Sequence, residues 1–317
     1  MSENKVLKEG VNRVTVVGTL VEKNLKVDTF KNADGDTIEL ISGSISVRTS
    51  DNEVHQIRLR SNKYTKEGKE NNLFKAYVTV QNEYVSVADV AEAAKKGVSL
   101  VASEVAIDGK LLTNEYYGQD GKLRQYQQID GRFVNRLREI DDPTPRAVFE
   151  VEIFLSKARH EIVDGEETGR AIVETFIPTY NSIIPYNFTV VEQGADFFLY
   201  SLEYGQTLKV YGNILNVKKE QRKWVEMAFG EPQEELVITY QSESLIKTAK
   251  NPYDEESPYL FNLELVKERL VKRQAYLEQQ KARQNNEGTT TNNSNGFGGT
   301  GFPTKSSDEA RDVRKLF

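Results

Sequence analysis

Short β-branched runs, broken by glycine and by Asp-Gly dipeptides, set the first limit on what this chain can fold into. Asn12–Val21 reads Asn-Arg-Val-Thr-Val-Val-Gly-Thr-Leu-Val, a strand-forming run with a glycine at its centre. Glycine inside a strand marks a bulge or the sharp bend of a small barrel. Further strand-like runs are Ile41–Thr49, His55–Ser61, Lys75–Val80, Val98–Ile107, Lys110–Tyr117 and Arg124–Phe133. Asp108-Gly109 and Asp120-Gly121 read as the turns that join hairpin strands. Between these runs, Val87–Lys96 has helical spacing, with Val87, Val90, Ala91 and Ala94 on one face and Gly97 as the stop.

Several short strands with one helix before the last hairpins form the pattern of a five-stranded Greek-key barrel of the oligonucleotide-binding type, the OB-fold. The expected fold class is therefore mainly β, with the first barrel over residues 11–138. Asp141-Asp142-Pro143-Thr144-Pro145 reads as a stiff linker. A second set of runs follows at Ala147–His160, Gly169–Pro178, Tyr186–Val191, Thr207–Val217, Lys223–Phe229 and Glu235–Gln241, with a turn at Asp164-Gly165 and a short helix within Gly194–Tyr204. Its order of elements repeats that of the first half. Gly97-Val-Ser-Leu-Val compares with Gly205-Gln-Thr-Leu-Lys-Val, and a second OB-like domain is expected over residues 146–250; the alternative is an unrelated β-domain. Leu260, Leu263, Val266, Leu270 and Leu277 then recur at helical steps, which predicts an amphipathic helix over residues 259–284. Residues 285–317 form a polar, Asn/Thr/Gly-rich tail expected to be disordered, ending in the apolar tip Leu316-Phe317.

Composition narrows the chemistry. The chain has no cysteine and two histidines, His55 and His160, far apart in sequence. Thiolate metal sites and disulfides are excluded, and no companion residues complete a His-based catalytic site. No Gly-rich phosphate loop is present and the carboxylates are scattered among lysines. The expectation is a non-enzyme without cofactor or metal. No run approaches a membrane span and no signal-peptide core opens the chain, so the expected location is the cytoplasm.

The net charge of -6 is unevenly spread: residues 1–142 carry 21 Lys/Arg against 22 Asp/Glu, and residues 143–258 carry 11 against 19. A local cationic stripe suffices for nucleic-acid binding even in an acidic protein. Sequence-independent binding of a single strand needs cations for the phosphates and aromatic faces for the bases. Residues 55–75 offer both, with Arg58, Arg60, Lys63, Lys66, Lys69 and Lys75 against Glu67 and Glu70, and with Tyr64 and Phe74 interleaved. Arg58 and Arg60 share one face of a strand, and the stretch after them reads as a mobile loop. A second candidate is the hairpin that carries Tyr116, Lys122, Arg124 and Tyr126; Tyr116 and Tyr117 must face opposite ways, and Phe133 reads as packing. A third is a hairpin with Lys218, Lys219, Arg222, Lys223 and the only tryptophan, Trp224. The bland reading of each is a solvated outer sheet face.

Asn12-Arg13-Val14-Thr15-Val16-Val17-Gly18-Thr19-Leu20 resembles the opening strand of the bacterial-type single-stranded DNA-binding proteins. Lys96-Gly97-Val-Ser-Leu-Val, Asp108-Gly109-Lys-Leu and Asp120-Gly121-Lys-Leu-Arg-Gln-Tyr126 resemble that family's later strands and turn. The similarity spans Val11–Arg138. It implies an OB-fold that coats single-stranded DNA in replication or recombination, and a tail that engages replication or recombination proteins. The chain departs from the pattern in two ways. It has a second domain, and Arg311, Arg314 and Lys315 offset Asp308, Glu309 and Asp312 near the terminal Phe317. Such divergence suggests a bacteriophage protein acting in the host cytoplasm. The alternative is an adaptor whose barrels bind proteins. The sequence leaves a homo-oligomer open.

Overall fold

The computed structural model describes residues 7–32, 35–118, 120–138, 144–180, 182–225, 227, 229 and 233–286. The expected tail tip, Leu316 and Phe317, lies outside the described residues.

The opening run continues well past its glycine. β1 spans Asn12–Lys31, β2 Thr37–Ser50 and β3 Glu53–Asn62; two helices follow, α1 (Asn72–Glu83) and α2 (Val87–Lys95), then β4 (Glu104–Tyr117) and β5 (Leu123–Arg136). β1 pairs antiparallel with β2 and with β4, β2 with β3, and β4 with β5, while β3 closes on β5 in parallel. That circuit is the OB-fold barrel. Side chains alternate across each strand, so Val14 and Val16, Ile57 and Leu59, and Ile107 fill the interior. α1 buries Phe74, Tyr77 and Val80 against this core, and the Tyr77 hydroxyl donates to the carbonyl of Arg132 at 2.9 Å.

The second half repeats the plan with β6 (Arg146–Val163), β7 (Glu166–Pro178), β8 (Ile183–Val191), the short α3 (Gln193–Asp196) running into a π-helical turn at Phe197–Ser201, β9 (Thr207–Val225) and β10 (Gln233–Ala249). β6 pairs with β7 and β9, β7 with β8 and β9 with β10, all antiparallel, and β8 closes on β10 in parallel. It is the same circuit. The match extends to single residues. β1 bulges after Leu20 and β6 after Leu155. Gly109 in β4 and Gly212 in β9 occupy equivalent places, each where a Cβ would collide with a carbonyl of the neighbouring strand, 2.5 Å from that of Asp130 and 2.0 Å from that of Leu245.

The two barrels join edge to edge. Asn12–Val17 of β1 pairs antiparallel with Arg146–Val151 of β6. Each barrel also lends its last hairpin to the other. The Gln127 amide of β5 donates to the Asn187 carbonyl on β8, while β9 reaches back to β3, with Val217 opposite Glu53 and the Lys218 amide bonded to the Asn52 carbonyl. At the far side Glu152, 2% exposed, accepts from the Val11 amide at 2.9 Å and the Tyr253 hydroxyl at 2.7 Å, tying the N-terminal segment to the chain that follows β10. α4 (Leu263–Asn286) then straps both halves. Val266 packs with Phe154 and Ile183 of the second barrel and with Phe261 just before the helix, and Arg273 clasps Glu115 of β4 through two hydrogen bonds, one of 2.8 Å. No helix among the described residues is long and apolar enough to cross a membrane.

Several local expectations are corrected. Lys75–Val80 is helix, because Asn71 caps the Leu73 amide and Phe74, Tyr77 and Val80 recur every third residue toward the core. α2 forms where its spacing predicts but buries none of its residues. Val98–Ser103 runs outside the sheet and β4 starts at Glu104, so the comparison of Gly97 with Gly205 is out of step with the true equivalence of Gly109 and Gly212. Asp108-Gly109 is no turn; it lies inside β4 at a bulge. Asp164-Gly165 is one, with both residues at positive φ (53° and 88°), as a two-residue hairpin turn requires.

Candidate functional site

Because Ile57 and Leu59 point into the first barrel, Arg58 and Arg60 point out, and strand pairing decides what stands beside them. Directly opposite residues share a face, which places Asn24, Ser44, Arg58, Asp130 and Lys110 in one row across β1, β2, β3, β5 and β4. Lys26, Ser42 and Arg60 make the next row. The serines are buried beneath longer neighbours, and the Gln56 amide donates to the Ser44 hydroxyl at 3.4 Å. Phe30, on the β1–β2 hairpin, lies with its ring centroid 5.7 Å from the Arg60 guanidinium. Glu22 and Asp28 sit at the β1 margin of the same face.

Burial lowers the pKa of Arg58, with Asp130 opposing the shift; burial and the charge of Arg58 lower that of Arg60. Two cations are thus drawn partly out of water side by side. Burial raises the Asp130 carboxyl, while Lys110 (3.9 Å away), Arg58 and Arg60 pull the other way.

The rest of the 55–75 cluster is less available. Lys63 bonds Glu39 at 2.9 Å, Lys69 pairs with Glu67 and Lys75 with Glu70. Thr65–Lys69 is a closed turn, bridged at Tyr64 and Glu70, rather than an open loop. Tyr64 is exposed there with Lys63 against its ring, and Lys66 is exposed. Phe74 is no stacking face: it is 7% exposed, on the inner side of α1.

The β4–β5 hairpin settles the Tyr116/Tyr117 alternative. Tyr116 stands opposite Arg124, and Tyr126 is two residues on, so the three share an exposed face. Tyr117 faces the other way, beneath Lys281 of α4. Arg124 is shared with Asp120 at 3.6 Å, and Lys122 is exposed beside the turn. This hairpin leans on the second barrel, so it is a patch separate from the β3 face. Phe133, expected to pack, is half exposed with Arg132 over its ring.

Lys218–Trp224 is not a hairpin by itself but one strand of a long arm, β9–β10, paired as far as Val225 opposite Gln233. The arm leaves the barrels at the Val217–Glu53 contact, five residues along β3 from Arg58. Lys218, Arg222 and Trp224 lie on one face of it and Lys219 on the other. Trp224 is 71% exposed; Lys218 pairs with Glu220 and Arg222 with Glu234.

The root of the arm contains a carboxylate. The Asn216 amide donates to Glu53 at 3.3 Å and the Thr49 hydroxyl at 2.8 Å. Burial opposes ionisation of Glu53, yet the nearby His55 ring, 3.7 Å away, and the hydrogen bonds from Thr49 and Asn216 outweigh it and hold the carboxyl below its ordinary 4.5. A depressed carboxyl contributes stability that is present above its unfolded pKa and lost as pH falls through the folded one. Acidification below about 4.5 is therefore expected to loosen the arm. Hydrogen exchange at Asn216, corrected for its intrinsic pH dependence, should speed up in the wild type and stay flat in Glu53→Gln; equal behaviour would refute the latch.

The second barrel lacks an equivalent of the β3 face. Leu245 stands where Asp130 does, and its parallel partner Thr189 takes the place of Arg58. Arg170, on β7, is held between Glu161 and Glu243.

Two solved structures of the single-stranded DNA binding protein from Thermus aquaticus are similar to this chain. The wild-type protein has 13% identity and a deletion mutant 15%; each covers 79% of this chain and 97% or 98% of its own, with a TM-score of 0.41 in both. No curated protein matches. The family model described as YorF matches residues 10–283, nearly the whole folded chain, and the protein belongs to the YorF family.

Proposed function

We propose that the protein binds single-stranded DNA without catalysing a reaction, along the outer β2–β3 face of its first barrel. The carrying observation is the pair Arg58 and Arg60, outward on one strand, partly desolvated, and flanked by Lys110 and by Phe30. Cations that attract phosphates next to an aromatic edge are what a single-strand groove requires. Strands 2 and 3 are also the surface OB-folds use for oligonucleotides. The arm supplies Lys218, Arg222 and Trp224 as a flanking contact, and Tyr116, Arg124 and Tyr126 form a separate one. Coating of single strands in replication or recombination, with the tail tip Leu316-Phe317 as a hook for partner proteins, is the setting the sequence resemblance suggests, and the chain's divergence and second domain suggest a phage.

Fluorescence anisotropy with labelled oligo-dT and a matched duplex, at low and high salt, tests the reading. Tight, salt-sensitive binding to the single strand and weaker binding to duplex are expected. Absent binding, or equal binding to duplex, would reject it. The acidic second barrel, with Arg170 held between two glutamates, fits a protein contact better than a nucleic-acid one.

A further inference from the structure

The β3 face is not uniformly cationic. In the row Asn24–Ser44–Arg58–Asp130–Lys110, serine and asparagine can both donate and accept, arginine and lysine only donate, and ionised Asp130 only accepts. Asp130 stands directly between two cations, Arg58 on one strand and Lys110 on the other. Two residues away on the same face of β5, Gln128 holds a buried amide donor with no hydrogen-bond partner among the described residues. An acceptor-only group and an unmet donor therefore lie side by side at the centre of the face.

From this juxtaposition we infer that Asp130 is a base-selecting residue, which favours bases carrying an exocyclic amino group over thymine. The inference rests on the single-strand reading above. A carboxylate repels phosphate, so whatever lies against Asp130 is a base edge and not the backbone. Cytosine, like adenine and guanine, offers its exocyclic amino group to the carboxylate. Thymine offers a single N–H between two carbonyl oxygens, and a carboxylate placed against that edge meets the oxygens as well. Burial raises the Asp130 carboxyl, and the flanking cations Lys110, Arg58 and Arg60 oppose that rise.

Binding of oligo-dC and oligo-dT of equal length, at neutral pH and fixed salt, tests this in the full chain. Wild type is expected to bind oligo-dC about fivefold more tightly, the lower end of the discrimination one well-placed base contact gives. In Asp130→Asn, whose side chain both donates and accepts, the two affinities should converge and both should rise as a negative charge leaves the face. Equal affinities in the wild type, a preference for oligo-dT, or an unchanged ratio in D130N would each overturn the inference. The wild-type ratio decides the matter even if D130N fails to fold. Failure of the wild type to bind either oligonucleotide would instead reject the single-strand reading itself.

Discussion

Replacing Arg58 and Arg60 together by glutamine is expected to weaken oligo-dT binding by about two orders of magnitude, because each charged hydrogen bond to a phosphate contributes roughly 1.5 kcal/mol. Glutamine keeps much of the apolar stem that covers Ser42 and Ser44, so the fold should survive. The diagnostic quantity is the salt slope. A single strand releases about 0.7 counterion per phosphate neutralised, so losing two contacts should flatten the plot of log K against log salt by about 1.4. Titrations at four or five salt concentrations read both effects. A drop in affinity with no change in slope would mean that the arginines only shape the face, and an unchanged affinity would move the site elsewhere.

The second large effect concerns the barrels themselves. A Cβ on Gly212 would lie 2.0 Å from the Leu245 carbonyl oxygen and 2.6 Å from the Phe149 ring, so β9 and β10 cannot stay paired around it. Gly212→Val is expected to cost roughly 3 kcal/mol, at the upper end of overpacking penalties, seen as a lower urea midpoint. Gly109→Ala should destabilise the first barrel for the same reason, since its Cβ would meet the Asp130 carbonyl. Gly165→Asn is the contrasting case: its φ is 88°, nothing lies within 4 Å, and asparagine accepts that conformation. Its effect should stay within about 0.5 kcal/mol. If Gly212→Val and Gly165→Asn melt alike, close approach is not why Gly212 is there.

The barrels were readable in the sequence wherever a strand is long and alternates, as in Asn12–Val21, and wherever a turn dipeptide does act as a turn, as at Asp164-Gly165. Legibility failed where one local signal has two physical causes. Lys75–Val80 holds the β-branched Val-Thr-Val, yet its apolar residues are three apart, and the Asn71 cap decides for helix. Asp108-Gly109 looks like a turn, but the glycine is there because a neighbouring carbonyl leaves no room for a side chain. At the site, Arg58 and Arg60 could be placed on one face from their spacing alone. Asp130, Lys110, Lys26 and Phe30 could not, since they come from other strands and only the register brings them alongside. The arm shows the same limit: Lys218 and Trp224 signalled contact chemistry, but not that they belong to one strand anchored on the other barrel.

The antiparallel pairing of β1 with β6 has a further consequence for how the molecule behaves on dilution. An edge-to-edge union between separate subunits dissolves once their concentration falls below the dissociation constant. Here both edges belong to one polypeptide, so their effective concentration is set by the chain and not by the solution. The arm of one barrel therefore stays beside the β3 face of the other at any protein concentration. Tying the two copies together also frees them from having to remain identical: one can keep Arg58 and Asp130 while its counterpart positions carry Thr189 and Leu245.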